Sequence, residues 1–135
     1  MAGYSKKSLL DKLGIKDRFE VLFIHPPENY FDLLGKLPAN IKERKQVKGE
    51  FDFIHFFTKE KKELEATLPK LLKVLKQTGM IWISWPKGAS KIKTDVNENL
   101  VRELALSIGL VDIKVCAVDE TWSGLKLVIR KENRK

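Results

Sequence analysis

The stretch FEVLFIHPPENY, residues 19–30, decides how this chain can fold. Its first part, FEVLFIH, is almost continuously apolar, which predicts a β-strand buried on both faces of a sheet. Pro26 and Pro27 end that strand, because proline has no backbone N–H to donate to a neighbouring strand. ENYFDLLGKLP then reads as a short helix, since proline is tolerated in the first helical turn and Glu28 suits the positive end of the helix dipole.

Two further apolar runs, FDFIHFF at residues 51–57 and MIWISW at residues 80–85, predict two more buried strands. The pattern between them predicts an amphipathic helix from about Glu60 to Gln77, which Pro69 kinks or splits and Gly79 ends. At the end of the chain, VDIKVCAV and GLKLVIR are two strands joined by DETWS, most simply as an antiparallel pair.

The remaining segments carry helix-end and edge-strand signals. Ser5 can cap a short helix that Gly14 ends, and Asp95 with Glu98 has the spacing of a capping box for the helix NENLVRELALSIG. The polar segment IKERKQVK, residues 41–48, predicts an edge strand. Strands alternating with helices, followed by a hairpin, predict a three-layer Rossmann-like α/β fold whose mostly parallel sheet ends in a C-terminal antiparallel hairpin. At 135 residues, the chain is expected to be a single domain, 1–135.

Composition limits the classes of function. With 43% apolar and 33% charged residues and no long apolar run, the chain reads as a globular protein without a membrane partner. The N-terminus lacks the apolar core of a secretory signal, and the single cysteine, Cys116, agrees with a reducing compartment. We therefore expect a cytoplasmic protein.

The formal net charge of +8 favours anionic partners if the basic residues cluster on one face. Many lysines instead alternate with glutamates and leucines in KEKKELEATLPKLLKVLKQ, which is typical of a solvated helix face. The remaining positive charge lies in PKGASKIK and in the tail RKENRK. Nucleic acid is thus one partner to consider, although basic and aromatic residues do not alternate along any strand as stacking platforms would require.

Four segments carry a resemblance to known proteins. KLGIKDRFEVLFI resembles the opening of a class I S-adenosylmethionine-dependent methyltransferase, FDFIHFF resembles its fourth strand, KQTGMIWISWPK its fifth, and GLVDIKVCAVDETWSGLKLV its final helix end and hairpin. Nearly the whole chain is similar to a group of small bacterial proteins classed as domain of unknown function 3052, most specifically in SWPKGAS and VCAVDETWSGLKLV. The resemblance implies a fold and a size, and no activity.

The resemblance also implies two cofactor contacts that this sequence does not match. Glycines should follow the first strand so that the backbone can approach the cofactor closely, but Pro26 and Pro27 stand there. An acidic residue should end the second strand to bind the ribose, and IKERKQVKG has none unless the register shifts to place Glu50 there. We therefore expect no cofactor bound in the ordinary way, with S-adenosylmethionine as the alternative.

Ligands of open α/β sheets bind at the carboxyl ends of the strands. In the predicted topology these ends and the last turn bring one set of candidate ligand-binding residues together: His25, Lys87, Ser90, Lys91, Asp119, Glu120, Trp122 and Ser123. The alternative is that Asp119 and Ser123 satisfy turn backbone, Trp122 packs over the sheet end and the lysines are solvated.

The two histidines and the cysteine are distributed over three predicted strands without the spacing of a metal site, so we expect no bound metal. His25 is an acid–base candidate or a hydrogen-bonded loop residue, His55 a buried structural residue, and Cys116 a small core residue.

Two functions stay open at this point. One is a non-catalytic binding or adaptor module on a degenerate methyltransferase-like scaffold, which would hold a protein, a small anionic ligand or nucleic acid. The alternative is an S-adenosylmethionine-dependent methyltransferase with an altered cofactor turn, in which His25 or Asp119 moves protons and Lys87 holds an anionic substrate. The sequence alone does not decide whether the protein is an enzyme.

Overall fold

A six-stranded sheet with helices on both faces forms the body of the protein in a computed structural model that describes residues 8–135. The helices and strands are α1 (Leu9–Leu13), β1 (Glu20–Ile24), α2 (Tyr30–Leu34), β2 (Lys42–Arg44), β3 (Phe51–Phe57), α3 (Lys61–Lys73), β4 (Leu75–Pro86), α4 (Glu98–Ser107), β5 (Leu110–Ala117) and β6 (Trp122–Ile129).

The strand order is β2-β1-β3-β4-β6-β5. The first four strands in this order are mutually parallel, and β6 runs antiparallel between β4 and β5. This arrangement confirms the predicted α/β class, the mostly parallel sheet and the antiparallel hairpin at its end.

The strands are continuously apolar because both faces of the sheet are covered. On one face Ile54, Phe56 and Ile83 pack under α3 and α4, and on the other Phe53 and Trp82 pack under α1 and α2. We call these the α3/α4 face and the α1/α2 face. Since fully burying one such side chain stabilises a fold by roughly 1.5–3 kcal/mol, strands with two buried faces dominate the core.

A buried polar chain crosses the α1/α2 face. The hydroxyl of Tyr30 lies 2.7 Å from Nδ1 of His55, whose Nε2 lies 2.7 Å from the hydroxyl of Ser84. All three residues have no measurable exposure to solvent. Burial lowers the pKa of His55 to about 3, so the ring is neutral and the predicted structural role is confirmed.

The predicted end of the long helix was wrong. Helix α3 ends at Lys73, and residues 75–77 already belong to β4, because the amide of Phe51 bonds to the carbonyl oxygen of Val74 and draws the chain directly into the sheet. Pro69 lies inside an unsplit helix. Gly79 lies within β4, where an added Cβ would come 2.8 Å from the carbonyl oxygen of Phe51. It therefore permits a close backbone approach and does not terminate a helix.

Two predicted caps have different outcomes. Ser5 lies outside the described residues; Ser8 accepts the amide of Asp11 at 3.2 Å, and Gly14 ends α1 as predicted. The capping box at α4 was wrong, since Asn97 accepts the amide of Leu100 there. Asp95 instead accepts the amide of Lys61 at 2.6 Å, and so it caps α3, a different helix.

The second strand is shorter than predicted. Within the predicted span 41–48, β2 comprises three residues, and residues 45–50 form the connection to β3. Of the helices in the described part of the chain, none combines the length and the apolar character that a bilayer crossing requires.

Candidate binding cleft at the carboxyl edge of the sheet

The carboxyl ends of β1, β3 and β4 lie at one edge of the sheet, and the turn between β5 and β6 returns to it. Pro86 at the end of β4 pairs with Trp122 at the start of β6, and the amide of Lys87 donates to the carbonyl oxygen of Thr121 at 2.8 Å. The residues predicted to bind a ligand therefore share this edge, which we call the rim: His25, Lys87, Ser90, Lys91, Asp119, Glu120, Trp122 and Ser123.

The turn after β1 begins with a strained residue. His25 has a φ of +54°, a left-handed conformation that is unfavourable by roughly 1–2 kcal/mol for a residue with a Cβ. Pro26 and Pro27 follow, and the amide of Tyr30 donates to the carbonyl oxygen of Pro27 at 3.0 Å. Two positions of this turn thus have no N–H at all, and the N–H of Tyr30 is used within the turn itself.

A hydrogen-bonded group joins β1 to β3 and α3 at the rim. Nδ1 of His25 lies 3.3 Å from one carboxylate oxygen of Glu63, and the hydroxyl of Thr58 donates to the other at 2.5 Å. The Thr58 side chain is almost fully buried, whereas the imidazole of His25 is 62% exposed. Glu63 therefore holds the histidine over the end of β3, on the solvent side of a buried hydroxyl.

Beside this group lies a cleft of about 360 Å³, lined by His25, Phe57, Thr58, Lys59, Glu60, Glu63 and Trp122. Small-molecule sites usually occupy about 300–1,000 Å³ and enclose most of the ligand, so this cleft is at the small end of that range. Its lining combines charges of both signs with the half-buried indole of Trp122, which packs edge-to-face on Phe57 at 5.3 Å.

Asp119 organises the turn opposite His25. One of its carboxylate oxygens accepts the amides of Thr121 and Trp122 at 2.8 and 2.7 Å, and the other accepts the side-chain amide of Asn29 at 3.4 Å. The ammonium group of Lys87 donates to the carbonyl oxygen of Asp119 at 2.7 Å. The ammonium group of Lys87 and the carboxylate of Asp119 thus stabilise the turn. The contacts of Asp119 are those expected if this residue satisfies the backbone of the turn.

The other predicted rim residues contact their own loops. The hydroxyl of Ser90 donates to the carbonyl oxygen of Lys87 at 2.6 Å, and Lys91 adopts a left-handed φ of +64°. Glu120 is exposed in the turn, and Ser123 lies within β6, paired with Trp85. The structure places all of them at the rim but away from the lining of the cleft.

The end of the second strand excludes one of the expected cofactor contacts. Strand β2 ends at Arg44, which donates to Glu20 at 3.0 Å, and the carboxylate of Glu43 accepts from Lys45 at 2.9 Å. Glu50 comes directly before β3 and so lies at the amino edge of the sheet. The shifted register that would bring Glu50 to the carboxyl end of β2 is therefore wrong.

Glu63 is the site residue that sequence reasoning missed. It lies in the first turn of α3, in a run that alternates lysine with glutamate and reads as a solvated helix face. The available signal was its position, because the first turn of a helix that follows a parallel strand lies at the carboxyl edge. No group of three or more His, Cys, Asp or Glu side chains within residues 8–135 has an arrangement that could hold a metal ion.

A parallel sheet of this order, closed by an antiparallel strand inserted between β4 and β5 and carrying a cleft at its carboxyl edge, defines a Rossmann-like α/β protein with a methyltransferase-like fold. The profile of the family described as "Protein of unknown function (DUF3052)" matches residues 43–131. The chain belongs to that family.

Solved methyltransferase structures share the fold at low sequence identity. The DhpI–SAH complex matches 92% of this chain and 83% of its own at 13% identity and a TM-score of 0.64. An S-adenosylmethionine-dependent methyltransferase from Clostridium acetobutylicum matches 96% and 94% at 8% identity and a TM-score of 0.61. Magnesium protoporphyrin IX methyltransferase from Synechocystis, with bound SAH, matches 91% and 78% at 10% identity and a TM-score of 0.60. No curated protein sequence matches the chain significantly.

Proposed function

We propose that this protein is a non-catalytic binding module on a methyltransferase-like scaffold, one that does not hold S-adenosylmethionine in the ordinary way. The turn after β1 is the observation that carries the proposal. A dinucleotide or nucleoside cofactor at this position needs a bare backbone and free N–H groups, which a glycine-rich turn supplies. Here the turn contains His25 in a left-handed backbone conformation and two prolines.

The end of β2 supports the same conclusion independently. A carboxylate there would accept the ribose hydroxyls, but the strand ends at Arg44 and the neighbouring Glu43 bonds to Lys45. The two principal cofactor contacts of this fold class, which come from different strands, are therefore both replaced. A change at one cofactor contact could be compensated by neighbouring residues. Changes at contacts on two separate strands would each need a compensating contact of their own.

The cleft suits a segment of a protein partner better than a strongly anionic ligand. Two carboxylates, those of Glu60 and Glu63, face the cleft together with the ammonium group of Lys59 and the imidazole of His25, so the lining has no excess of positive charge. Trp122 adds a large apolar surface that retains a hydrogen-bond donor, the combination that aromatic residues bring to protein interfaces. This lining supports an adaptor role at the rim.

The second candidate is a methyltransferase with an altered cofactor turn. It is favoured by the fold of the neighbours, three of which are named with SAH or S-adenosylmethionine bound, and by a cleft at the edge where this fold class binds ligands. In that case His25 would move the proton and Glu63 would orient its ring. Lys87 and Asp119 are less suited to chemistry, because both are used to hold the turn.

Isothermal titration with S-adenosylmethionine and S-adenosylhomocysteine tests the proposal. The full chain is compared with Trp122→Ala, which opens the cleft, and with Lys70→Ala, an exposed residue of α3 that controls for the effect of substitution alone. We expect no binding heat from the full chain at millimolar ligand. One-to-one micromolar binding that Trp122→Ala weakens and Lys70→Ala does not would overturn the proposal in favour of the methyltransferase.

A further inference from the structure

The β5–β6 part of the α1/α2 face carries lysines where the rest of that face carries apolar residues. Lys126 of β6 and Lys114 of β5 are direct cross-strand partners, and Lys114 is exposed. A shallow cleft of about 270 Å³ separates Lys114 from Lys12 of α1. Lys16, just after α1, is exposed, and its charge acts on Lys126. The end of α1 reaches this part of the face, where a Cβ added at Gly14 would lie 4.0 Å from Nζ of Lys126.

These lysines repel one another. Like charges directly opposite on neighbouring strands destabilise a sheet, and Lys114 and Lys126 have that arrangement. Burial lowers the pKa of Lys126, and the charges of Lys114 and Lys16 lower it further. None of Lys12, Lys16, Lys114 and Lys126 forms an ion pair with a carboxylate of residues 8–135. An anion bound here would relieve this repulsion.

The positive charge continues along the hairpin to the rim. Burial raises the pKa of the Cys116 thiol, whereas the charges of Lys12, Lys114 and Lys87 lower it. We call the five residues Lys12, Lys16, Lys87, Lys114 and Lys126 the lysine stripe. Lys87, at the rim, extends it beyond the cleft beside α1.

The stripe ends at an aromatic ring. Trp122 and Lys126 are four residues apart on β6, which places their side chains on one face at a separation of roughly 13 Å along the strand. Trp122 is only half-buried, whereas Trp82 and Trp85 lie in the core. An extended polyanion that follows the lysines can therefore bring an uncharged planar group onto the indole, while its charged groups stay on the lysines and not beside Glu60 and Glu63.

We infer that the lysine stripe binds single-stranded nucleic acid, with phosphates along Lys16, Lys126, Lys114 and Lys12 and a base stacked on Trp122. Lysine ammonium groups are flexible point charges that fit a phosphate backbone without reading sequence. The stacking surface distinguishes this ligand from an acidic peptide, since every base has a flat face that an indole can meet. The stripe is separate from the cleft except for Trp122, so this inference holds whether or not the protein binds S-adenosylmethionine.

Fluorescence anisotropy of labelled oligouridylate and oligothymidylate, titrated with the full chain over a series of salt concentrations, tests the inference. The test variant is Lys114→Gln/Lys126→Gln. The control is Lys62→Gln/Lys70→Gln, which removes the same charge from exposed positions of α3 on the opposite face. Losing two phosphate contacts should lower affinity about 25-fold near 0.1 M salt and reduce the slope of log K against log salt by about 1.4.

The test variant should fold at least as well as the parent, because it removes a repulsive pair, so thermal unfolding can be checked beside each titration. Quenching of tryptophan fluorescence on binding should be lost in Trp122→Phe, since the other indoles are buried. Salt-dependent binding of either oligonucleotide that Lys114→Gln/Lys126→Gln weakens more than the control does supports the inference. Equal loss of affinity in the two double variants, no binding near 0.05 M salt, or equal displacement by polyglutamate would overturn it.

Discussion

His55 makes the stability of the whole protein depend on pH through one buried ring. Its pKa in the folded state, about 3, lies below the ordinary value of 6.5, so the unfolded chain takes up the proton first. The stability that the neutral ring provides is therefore complete above about pH 6.5 and is lost as the pH falls toward 3. Between pH 7.5 and 5.0 this residue alone should reduce the free energy of unfolding by about 2 kcal/mol.

Urea unfolding of the parent and of His55→Gln at these two pH values measures that contribution. The variant should be less stable at pH 7.5, because the hydroxyls of Tyr30 and Ser84 lose their shared partner, but it should lose about 2 kcal/mol less on acidification. His25→Gln, which removes the histidine at the rim, is the control and should keep the acid sensitivity due to His55. Identical pH dependence in the parent and His55→Gln would contradict this account.

At the scale of elements, Asp95 connects two helices that are distant in sequence. Its carboxylate accepts the amide of Lys61, and the N-cap residue Glu60 makes no side-chain cap of its own. Asp95→Ala should therefore lower the free energy of unfolding by about 1 kcal/mol. Hydrogen exchange should accelerate at the amide of Lys61 while the amide of Leu100, capped by Asn97, stays protected. Faster exchange at the amide of Glu98, with no change at Lys61, would instead support the capping box that the sequence suggested.

The hairpin of β5 and β6 contains a like-charge cross-strand pair, Lys114 and Lys126. Lys114→Glu converts a repulsive cross-strand pair with Lys126 into an attractive one, so we expect a gain of roughly 0.2–1 kcal/mol in the free energy of unfolding. The measurement is chemical denaturation at low salt and again at high salt, where screening should diminish the gain. Lys36→Glu, an exposed residue after α2, controls for the lower net charge. An equal gain in the control would show that the pair itself contributes nothing.

At the scale of the whole molecule, the cofactor site of this fold class is assembled from separate strands, and this chain departs from it at two of them. Replacing the turn alone, with His25→Gly, Pro26→Ser and Pro27→Gly, should relieve the left-handed strain and expose backbone amides. It should still not create binding of S-adenosylmethionine in a calorimetric titration, because β2 continues to end at Arg44. Binding by this variant would show that the turn is the only obstacle.

Local patterns determined the strands and the order of the elements. Continuous apolar runs such as FDFIHFF can only be satisfied between two covered faces, and β3 has the bounds that its sequence predicts. The alternation of elements then limited the topology, and with it the edge to which His25, Lys87 and Asp119 belong. The absence of backbone N–H groups at Pro26 and Pro27 is likewise known from the sequence alone.

Which side chains meet depends on the tertiary structure. The contacts of Glu63 with His25, of Asp95 with the first turn of α3, and of Lys114 with Lys126 join residues on different elements. Their distances depend on strand register and on how loops cross the sheet, which no local pattern encodes. The architecture and the altered turn can therefore be predicted from the sequence, because these follow from burial and backbone chemistry. Which residues line the cleft and form the lysine stripe depends on packing, because packing brings together residues that are far apart in the chain.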